Sequence, residues 1–294
     1  MLTAIPRFLQ VSRSTCGIRQ YRDEIRIDNL EIYAGHGVFP EENQTGQPFF
    51  VNLVLYTDTR KAGMKDDLTL STHYGEVSHL VNRFLKEHTY QLIEAAAEQA
   101  AEQVLLHFPF IREVSLELRK PNAPIGLPFA SVSVKIRRGW KKAYLGIGSN
   151  LGDKQHFLEE AVEKLKKNEK IRGVRTSEFI VTEPYGGVEQ DVFLNGAIEL
   201  ETLMMPEELL QVMQSLEKEA GRERLVHWGP RTLDLDMLFF EDFVSDDKQL
   251  TVPHPDMQNR EFVLKPLNEL CPYYRHPVLG KSVRELLEAL TKQA

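Results

Sequence analysis

The feature that most constrains this fold is a change of hydrophobic period, made twice along the chain. "IRIDNLEIYA" from Ile25 and "PFFVNLVLYT" at 48–57 alternate polar and apolar residues, the period of strands with one solvated face. Val77, Leu80, Val81, Phe84 and Leu85 then fall on one helical stripe, and an alanine-rich helix is expected at about 90–107. Alternation returns in "REVSLELR" at 112–119 and "ASVSVKIR" at 130–137. The order ββααββ predicts an antiparallel sheet with helices on one face. A basic stretch, "RRGWKK" at 137–142, is expected to separate this unit from a new strand, "AYLGIGS". The following helix places Phe157, Leu158, Ala161, Val162 and Leu165 on one side. Strands at 174–182 and 193–201, a helix at 206–220 opened by Pro206, and the strand "LDLDMLFF" complete β-α-β-β-α-β, the ferredoxin-like order. Beyond it, "TVPHPDMQNREFVLKPLNEL" reads as Pro-punctuated loop leading to a short helix, and a last helix is expected at 282–291. The fold class is therefore α+β, in two units at 25–138 and 142–294.

Composition agrees with two soluble domains. The 294 residues suffice for two cores, and no apolar run approaches the roughly 18 residues of a membrane span. A formal net charge of −7 argues against a general nucleic-acid binder while leaving room for a local basic pocket. Cys16 and Cys271 match no metal spacing, and a reducing compartment is the simplest reading. Residues 1–24 are set apart: Arg7, Arg13, Arg19 and Arg22 occur before any acidic residue. A disordered extension or upstream start in a cytoplasmic protein is one reading of that composition, and a mitochondrial transit peptide is the other.

The strand "LDLDMLFF" carries the chemistry. Residues i and i+2 of a strand share a face, so Asp234 and Asp236 project together, while Leu233, Leu235 and Met237 face the core. Carboxylates desolvated side by side need cations, and Mg2+ is commonly held by one or two carboxylates plus substrate phosphates. Upstream, "GRERLVHWGPR" places Arg222, Arg224 and Arg231 around Trp228, and guanidinium groups bind phosphate in a bidentate fork. Phosphoryl or pyrophosphoryl transfer fits this set. An internal salt-bridge cluster between the arginines and the aspartates fits the spacing equally. Gly146, Gly148 and Gly152 of "LGIGSNLGD" miss the dinucleotide spacing and lack a P-loop lysine, so they read as a tight strand-to-helix turn.

"GIGSNLGD", "FLNGAIELET", "GRERLVHWGPRTLDLDMLFF" and "LTVPHPDMQNREFVLKPL", in this order, resemble 6-hydroxymethyl-7,8-dihydropterin pyrophosphokinase over about 142–294. The resemblance implies ATP as co-substrate, AMP as product and two Mg2+ ions on Asp234 and Asp236. It implies that Asn195 hydrogen-bonds the pterin, and that Phe262, with Phe193 and Tyr185, encloses the ring. Arg222, Arg224, Arg231, His254 and Arg260 become phosphate or nucleotide contacts, Trp228 joins the loop over ATP, and Glu217 lies on the nucleotide side. Arg224 and Arg231 are the catalytic arginines of this set. His227 stands where an arginine is common, and Pro255 where a tyrosine is common.

The first unit is similar to dihydroneopterin aldolase over about 25–138, through "YAGHGVFPEENQTGQPF", "STHYGEV", "YQLIEAAAEQAA" and "ELRKPNAPI". This implies a tunnelling-fold-like domain that needs no cofactor and assembles as a ring-shaped homo-oligomer with sites between subunits. Ile93 and Glu94 would bind the pterin, Lys120 would serve acid–base chemistry, Tyr74 would bind substrate and move a proton at C6, and Glu42 would lie near the reacting side chain. On residue type alone, Lys120 reads as a solvated cation at a strand end, Tyr74 as a core ring and Glu94 as a surface charge. His36 and His73 read as structural. Together the resemblances imply a bifunctional folate-pathway enzyme acting on pterins and ATP, with neither nucleic acid nor membrane as partner. The altered turn "GLPF" after Ile125 keeps open a pyrophosphokinase with a degenerate, oligomerising first domain.

Overall fold

The computed structural model describes residues 23–184, 191–221 and 231–292. Two antiparallel sheets divide these residues, in strand orders β1-β2-β3-β4 and β6-β8-β5-β9, with β7 also paired to β8. The first contains β1 (Asp23–Ala34), β2 (Gln47–Thr57), β3 (Glu113–Lys120) and β4 (Val132–Gly139). Between β1 and β2 lies a short helix, α1 (Pro40–Thr45), and after β2 another, α2 (Arg60–Lys65), neither of which the periodicity announced. The expected helices follow as α3 (Tyr74–Glu87) and α4 (Ile93–His107).

Burial follows the pattern of period. Every second residue of β2 is buried, and Phe49, Val51, Leu53 and Leu55 pack beneath Val77, Val81 and Leu85 of α3. Ala96, Ala97, Ala100 and Ala101 form the buried stripe of α4, and their small side chains let the helix lie close on the sheet. His73 starts α3, its Nδ1 accepting from the Glu76 amide at 3.3 Å, which makes it a cap and bears out its structural role.

The second sheet contains β5 (Lys141–Ser149), β6 (Ile171–Thr176), β7 (Ile180–Thr182), β8 (Phe193–Thr202) and β9 (Asp234–Phe240), with α5 (Lys154–Lys167) and α6 (Pro206–Glu219) on one face. This is the ferredoxin-like order. The strand expected at 174–182 is broken, because Ser177 spends its hydroxyl on the ladder. Ser177 Oγ accepts from the Ala197 amide at 2.9 Å, and Phe179 lies over Gly196. A small hairpin, β10 (Ser245–Asp246) with β11 (Thr251–Val252), precedes α7 (Glu261–Leu270) and α8 (Val283–Thr291). These last helices cover the opposite face of the sheet through Leu264, Leu267, Val283 and Leu286, against Tyr144, Leu238 and Phe239. A reciprocal capping box between Ser282 and Glu285 opens α8. Among the described residues no helix is long and apolar enough to cross a membrane.

The basic stretch "RRGWKK" does not separate the sheets as a linker would. Gly139 ends β4 and Lys141 begins β5, leaving only Trp140 between them. A Cβ on Gly139 would lie 2.8 Å from the Arg112 carbonyl oxygen, so this corner requires glycine. Polar contacts reinforce the junction. Glu201 on β8 accepts from Arg112 at 2.7 Å and from Arg172 at 2.9 Å, the Arg172 guanidinium stacks 4.1 Å over the Trp140 ring, and Lys170 pairs with Glu102 at 2.8 Å. Burial pushes the Glu201 carboxyl up, but the two guanidinium groups more than offset it and hold it below the usual carboxylate range. Glu201→Ala leaves the half-buried Arg172 without its carboxylate and is expected to cost about 1–3 kcal/mol, read as a lower thermal unfolding midpoint.

Candidate active sites

The larger site is a cleft at one end of the second sheet, where α7 begins and leaves the face uncovered. It holds a cavity of about 110 Å³ that opens to solvent. Its floor follows from register. Asp234 pairs with Gly148 and Asp236 with Gly146, so both carboxylates stand opposite residues without side chains. The glycines of "GIGSN" are thus not turn residues, as their spacing suggested; only Gly152, at φ +68°, makes the turn. Gly148 also faces Asn195 across β8, and a Cβ there would lie 2.5 Å from Asn195 Oδ1. Asn195 Nδ2 donates to Thr182 Oγ1 at 2.8 Å, fixing the amide at the cleft wall.

Leu233, Leu235 and Met237 are buried in the core on the other side of β9, as the alternation required. Arg231 Nη1 donates to Asp234 Oδ2 at 2.5 Å, so an ion pair and a cation-demanding carboxylate pair coexist. Desolvation, and then the neighbouring Asp234, push Asp236 well above the usual carboxylate range, against the pull of Arg231 and Arg260. Arg260 precedes α7, is held by Asp256 at 2.8 Å, and lies 5.9 Å from the Phe262 ring centroid. His254 lines the cleft with its Nδ1 accepting from the Asp256 amide; burial, then the Arg260 charge, lower its pKa. A neutral ring so bonded carries its proton on Nε2. Phe193, Asn195, Arg231, His254, Arg260 and Phe262 all line the cleft with the two aspartates.

Glu217 lies on α6, against β9. It is buried, its Oε1 accepts from the Leu235 amide at 2.9 Å, and its charge helps push the Asp236 carboxyl up. Thr182, Glu183, Leu238 and Val263 also line the cleft and carried no signal in the sequence, because strand pairing and the packing of α7 bring them there. Tyr185, Arg222, Arg224, His227 and Trp228 lie outside the described residues. Among the described residues, no group of three acidic, His or Cys side chains could hold a metal alone. Two carboxylates fit Mg2+, whose remaining octahedral positions go to water and phosphate oxygens.

A second polar centre is buried in the first sheet. Lys120 ends β3 only 6% exposed, not solvated as its type suggested, and its Nζ lies 2.6 Å from Glu42 Oε1. The same Nζ donates to the His36 carbonyl at 3.1 Å and lies 5.9 Å from the Phe49 ring. Desolvation pushes Glu42 up, but Lys120, the Phe39 amide and Gln47 together hold it below the usual carboxylate range. Gly37 packs directly on the Glu42 carboxylate, leaving no room for a Cβ. His36 is fully buried; its Nδ1 accepts from the Tyr90 amide at 3.3 Å, and the adjoining Gly37 amide donates to the Tyr90 carbonyl at 3.0 Å. Tyr90 thereby ties this loop to the segment leading into α4, where Ile93 is buried and Glu94 exposed. Tyr74, at the start of α3, is 62% exposed, so it is not the core ring its type suggested. Neither Tyr74 nor Glu94 meets Lys120 or Glu42 through a hydrogen bond within the one chain.

A cleft with paired carboxylates beside one sheet and a buried lysine–glutamate centre in the other give the chain two unlike polar sites. Comparison with known proteins identifies both halves. Residues 25–137 match the dihydroneopterin aldolase family, and residues 144–272 match the 7,8-dihydro-6-hydroxymethylpterin-pyrophosphokinase family. The 2-amino-4-hydroxy-6-hydroxymethyldihydropteridine pyrophosphokinase of Bacillus subtilis is 45% identical over 129 residues, 44% of this chain and 77% of its own length. The folic acid synthesis protein fol1 of Pneumocystis carinii is 30% identical over 303 residues, 96% of this chain. The chain spans 40% of that relative's length, and 37% of the corresponding protein of Schizosaccharomyces pombe. A solved E. coli dihydroneopterin aldolase in complex with neopterin aligns at 29% identity over 40% of this chain and 99% of that one, with a TM-score of 0.38. The chain belongs to the pyrophosphokinase family and carries an aldolase-family domain ahead of it.

His36 sets a pH dependence. Burial first, and the Lys120 charge second, lower its pKa from 6.5 to about 4, so the folded state resists its protonation. The stability this contributes is complete above pH 6.5 and is lost as the pH falls toward 4. Acid titration followed by circular dichroism is expected to show this slope, and His36→Asn is expected to flatten it between those pH values.

Proposed function

We propose that the chain is a bifunctional enzyme of folate biosynthesis. Its first domain cleaves 7,8-dihydroneopterin to glycolaldehyde and 6-hydroxymethyl-7,8-dihydropterin, and its second transfers the pyrophosphoryl group of ATP to that product, releasing AMP. The observation that carries the reading is that each domain keeps its charged centre: Asp234 and Asp236 above a glycine floor beside Arg231 and Arg260, and Lys120 buried against Glu42.

In the second domain, Asp234 and Asp236 would hold two Mg2+ ions, which supply charge neutralisation to the phosphates. Arg231 and Arg260 contribute fixed positive charge where phosphate charge develops, so catalysis here is positioning and electrostatics. Asn195 supplies the amide that recognises the pterin edge, and Phe193 and Phe262 enclose the ring. In the first domain, Lys120 and Glu42 form a desolvated proton-transfer pair. One group must take the hydroxyl proton as the carbon–carbon bond breaks, the pterin ring accepts the electron pair, and an acid returns a proton to the enol.

The exposure of Tyr74 and Glu94 in a single chain favours a site completed by a second copy. Tyr33, Val38, Phe39, Leu68, Tyr74 and Leu92 are exposed apolar residues of this domain, and cover by another subunit would account for them. The buried Lys120–Glu42 pair favours an active aldolase over a degenerate scaffold, since a mere scaffold gains nothing from desolvating two charges. A cytoplasmic site of action is part of this reading, with mitochondrial targeting by residues 1–22 as its alternative.

The test is paired. Glycolaldehyde is measured with dihydroneopterin and no ATP, and AMP with hydroxymethyl-dihydropterin, ATP and Mg2+. Asp236→Ala is expected to lower AMP formation by at least about 100-fold while sparing glycolaldehyde release. Lys120→Ala is expected to do the reverse, by about 100-fold or more. Loss of both activities in either variant contradicts two independent sites, and ADP in place of AMP points to an ordinary kinase.

A further inference from the structure

Strand pairing between β5 and β9 ends with Gly148 opposite Asp234. Continued in simple register it would bring Asn150 opposite Thr232, but the chain does something else. The Asn150 amide donates to the Arg231 carbonyl at 3.0 Å, and the Arg231 amide donates to the side-chain Oδ1 of Asn150 at 2.7 Å. A side chain thus takes over from the backbone as the partner strand. Asn150 is only 1% exposed, so this amide is held in one place. Its Nδ2 also reaches toward the Asp191 carbonyl, at 3.5 Å, the outer limit of a hydrogen bond. The residue it grips is the one whose guanidinium meets Asp234 at 2.5 Å on the cleft wall.

We infer that Asn150 is a positioning residue of the pyrophosphoryl-transfer site, fixing the Arg231 main chain in the register that aims its guanidinium at Asp234 and into the cleft. The inference rests on the pyrophosphokinase reading of that cleft. Its physical basis is the length of the chain segment involved. Only Thr232 and Leu233 separate Arg231 from Asp234, and a one-residue slip of an extended segment turns a side chain to the opposite face. Leu233 is anchored in the core on one side of this segment, and the Asn150 grip holds the other. Without an acceptor at position 150 the Arg231 amide loses its partner, and the segment relaxes toward another arrangement. Displacement of a positioned group by about 1 Å costs on the order of 100-fold in rate.

In the full-length chain, Asn150→Ala is expected to lower kcat/KM for AMP formation by about 10- to 100-fold, with glycolaldehyde release unchanged as the internal control of folding. In an Arg231→Ala background the same substitution is expected to change kcat/KM by no more than about 2-fold, because the guanidinium it positions is gone. An equal loss in both backgrounds, or no loss in the wild-type background, overturns the inference. If Asn150→Ala abolishes the cooperative unfolding of the second domain, Asn150→Ser enters the same cycle with the same expected and overturning outcomes. Failure of the wild-type chain to form AMP at all is a different result: it refutes the pyrophosphokinase reading and removes this inference with it.

Discussion

The second domain depends on an arrangement in which two carboxylates share one face of a strand and nothing projects from the strand opposite. Asp234 and Asp236 face Gly148 and Gly146 of β5. With like charges about 7 Å apart, repulsion at the effective dielectric of a protein is about 2 kcal/mol before desolvation is counted. Arg231 and Arg260 offset part of that, yet Asp236 is still pushed toward its protonated form. The carboxylate pair therefore calls for positive charge beyond these two arginines. A divalent cation held by the two carboxylates would supply it, and the glycines opposite leave those carboxylates unobstructed.

That arrangement was half legible. Alternation in "LDLDMLFF" placed both aspartates on one face and Leu233, Leu235 and Met237 in the core, because period 2 is a local property of the chain. The role of Gly146 and Gly148 was not legible, since it arises from pairing β5 with β9 almost ninety residues later. Glu217 shows the same limit, its position on α6 being clear while its bond to the Leu235 amide depends on how α6 packs. The break at Ser177 was hidden because an alternating strand and one interrupted by a hydroxyl that replaces a ladder acceptor read alike. In the first domain the strands and helices followed the period closely, whereas the burial of Lys120 could not be seen from a charged residue at a strand end.

Lys120 and Glu42 present the opposite balance to the aspartate pair. Here opposite charges are desolvated together, and the cost of burial is met by an ion pair, the His36 carbonyl and the Phe39 amide. Such a centre is close to neutral as a unit and can exchange a proton without drawing a counter-ion from solution. A neutral His36 beside it belongs to the same design: a charged imidazole next to Lys120 would place a second cation in a site with one carboxylate. In the proposed reactions, one domain would attract charge from outside, and the other would redistribute a proton within.

Fusing two such sites imposes a condition on the junction. Trp140 alone separates β4 from β5, and Glu201, Arg112 and Arg172 clamp the corner. Both centres lie at the ends remote from the corner. Lys120 pairs with Val132, the first residue of β4, and Gly148 stands one residue before the end of β5. The clamp can therefore be tight without reaching either chemistry. Substitutions at the corner act on the cohesion of the two sheets, whereas Lys120, Asp234 and Asp236 are fixed by pairings made within their own sheets.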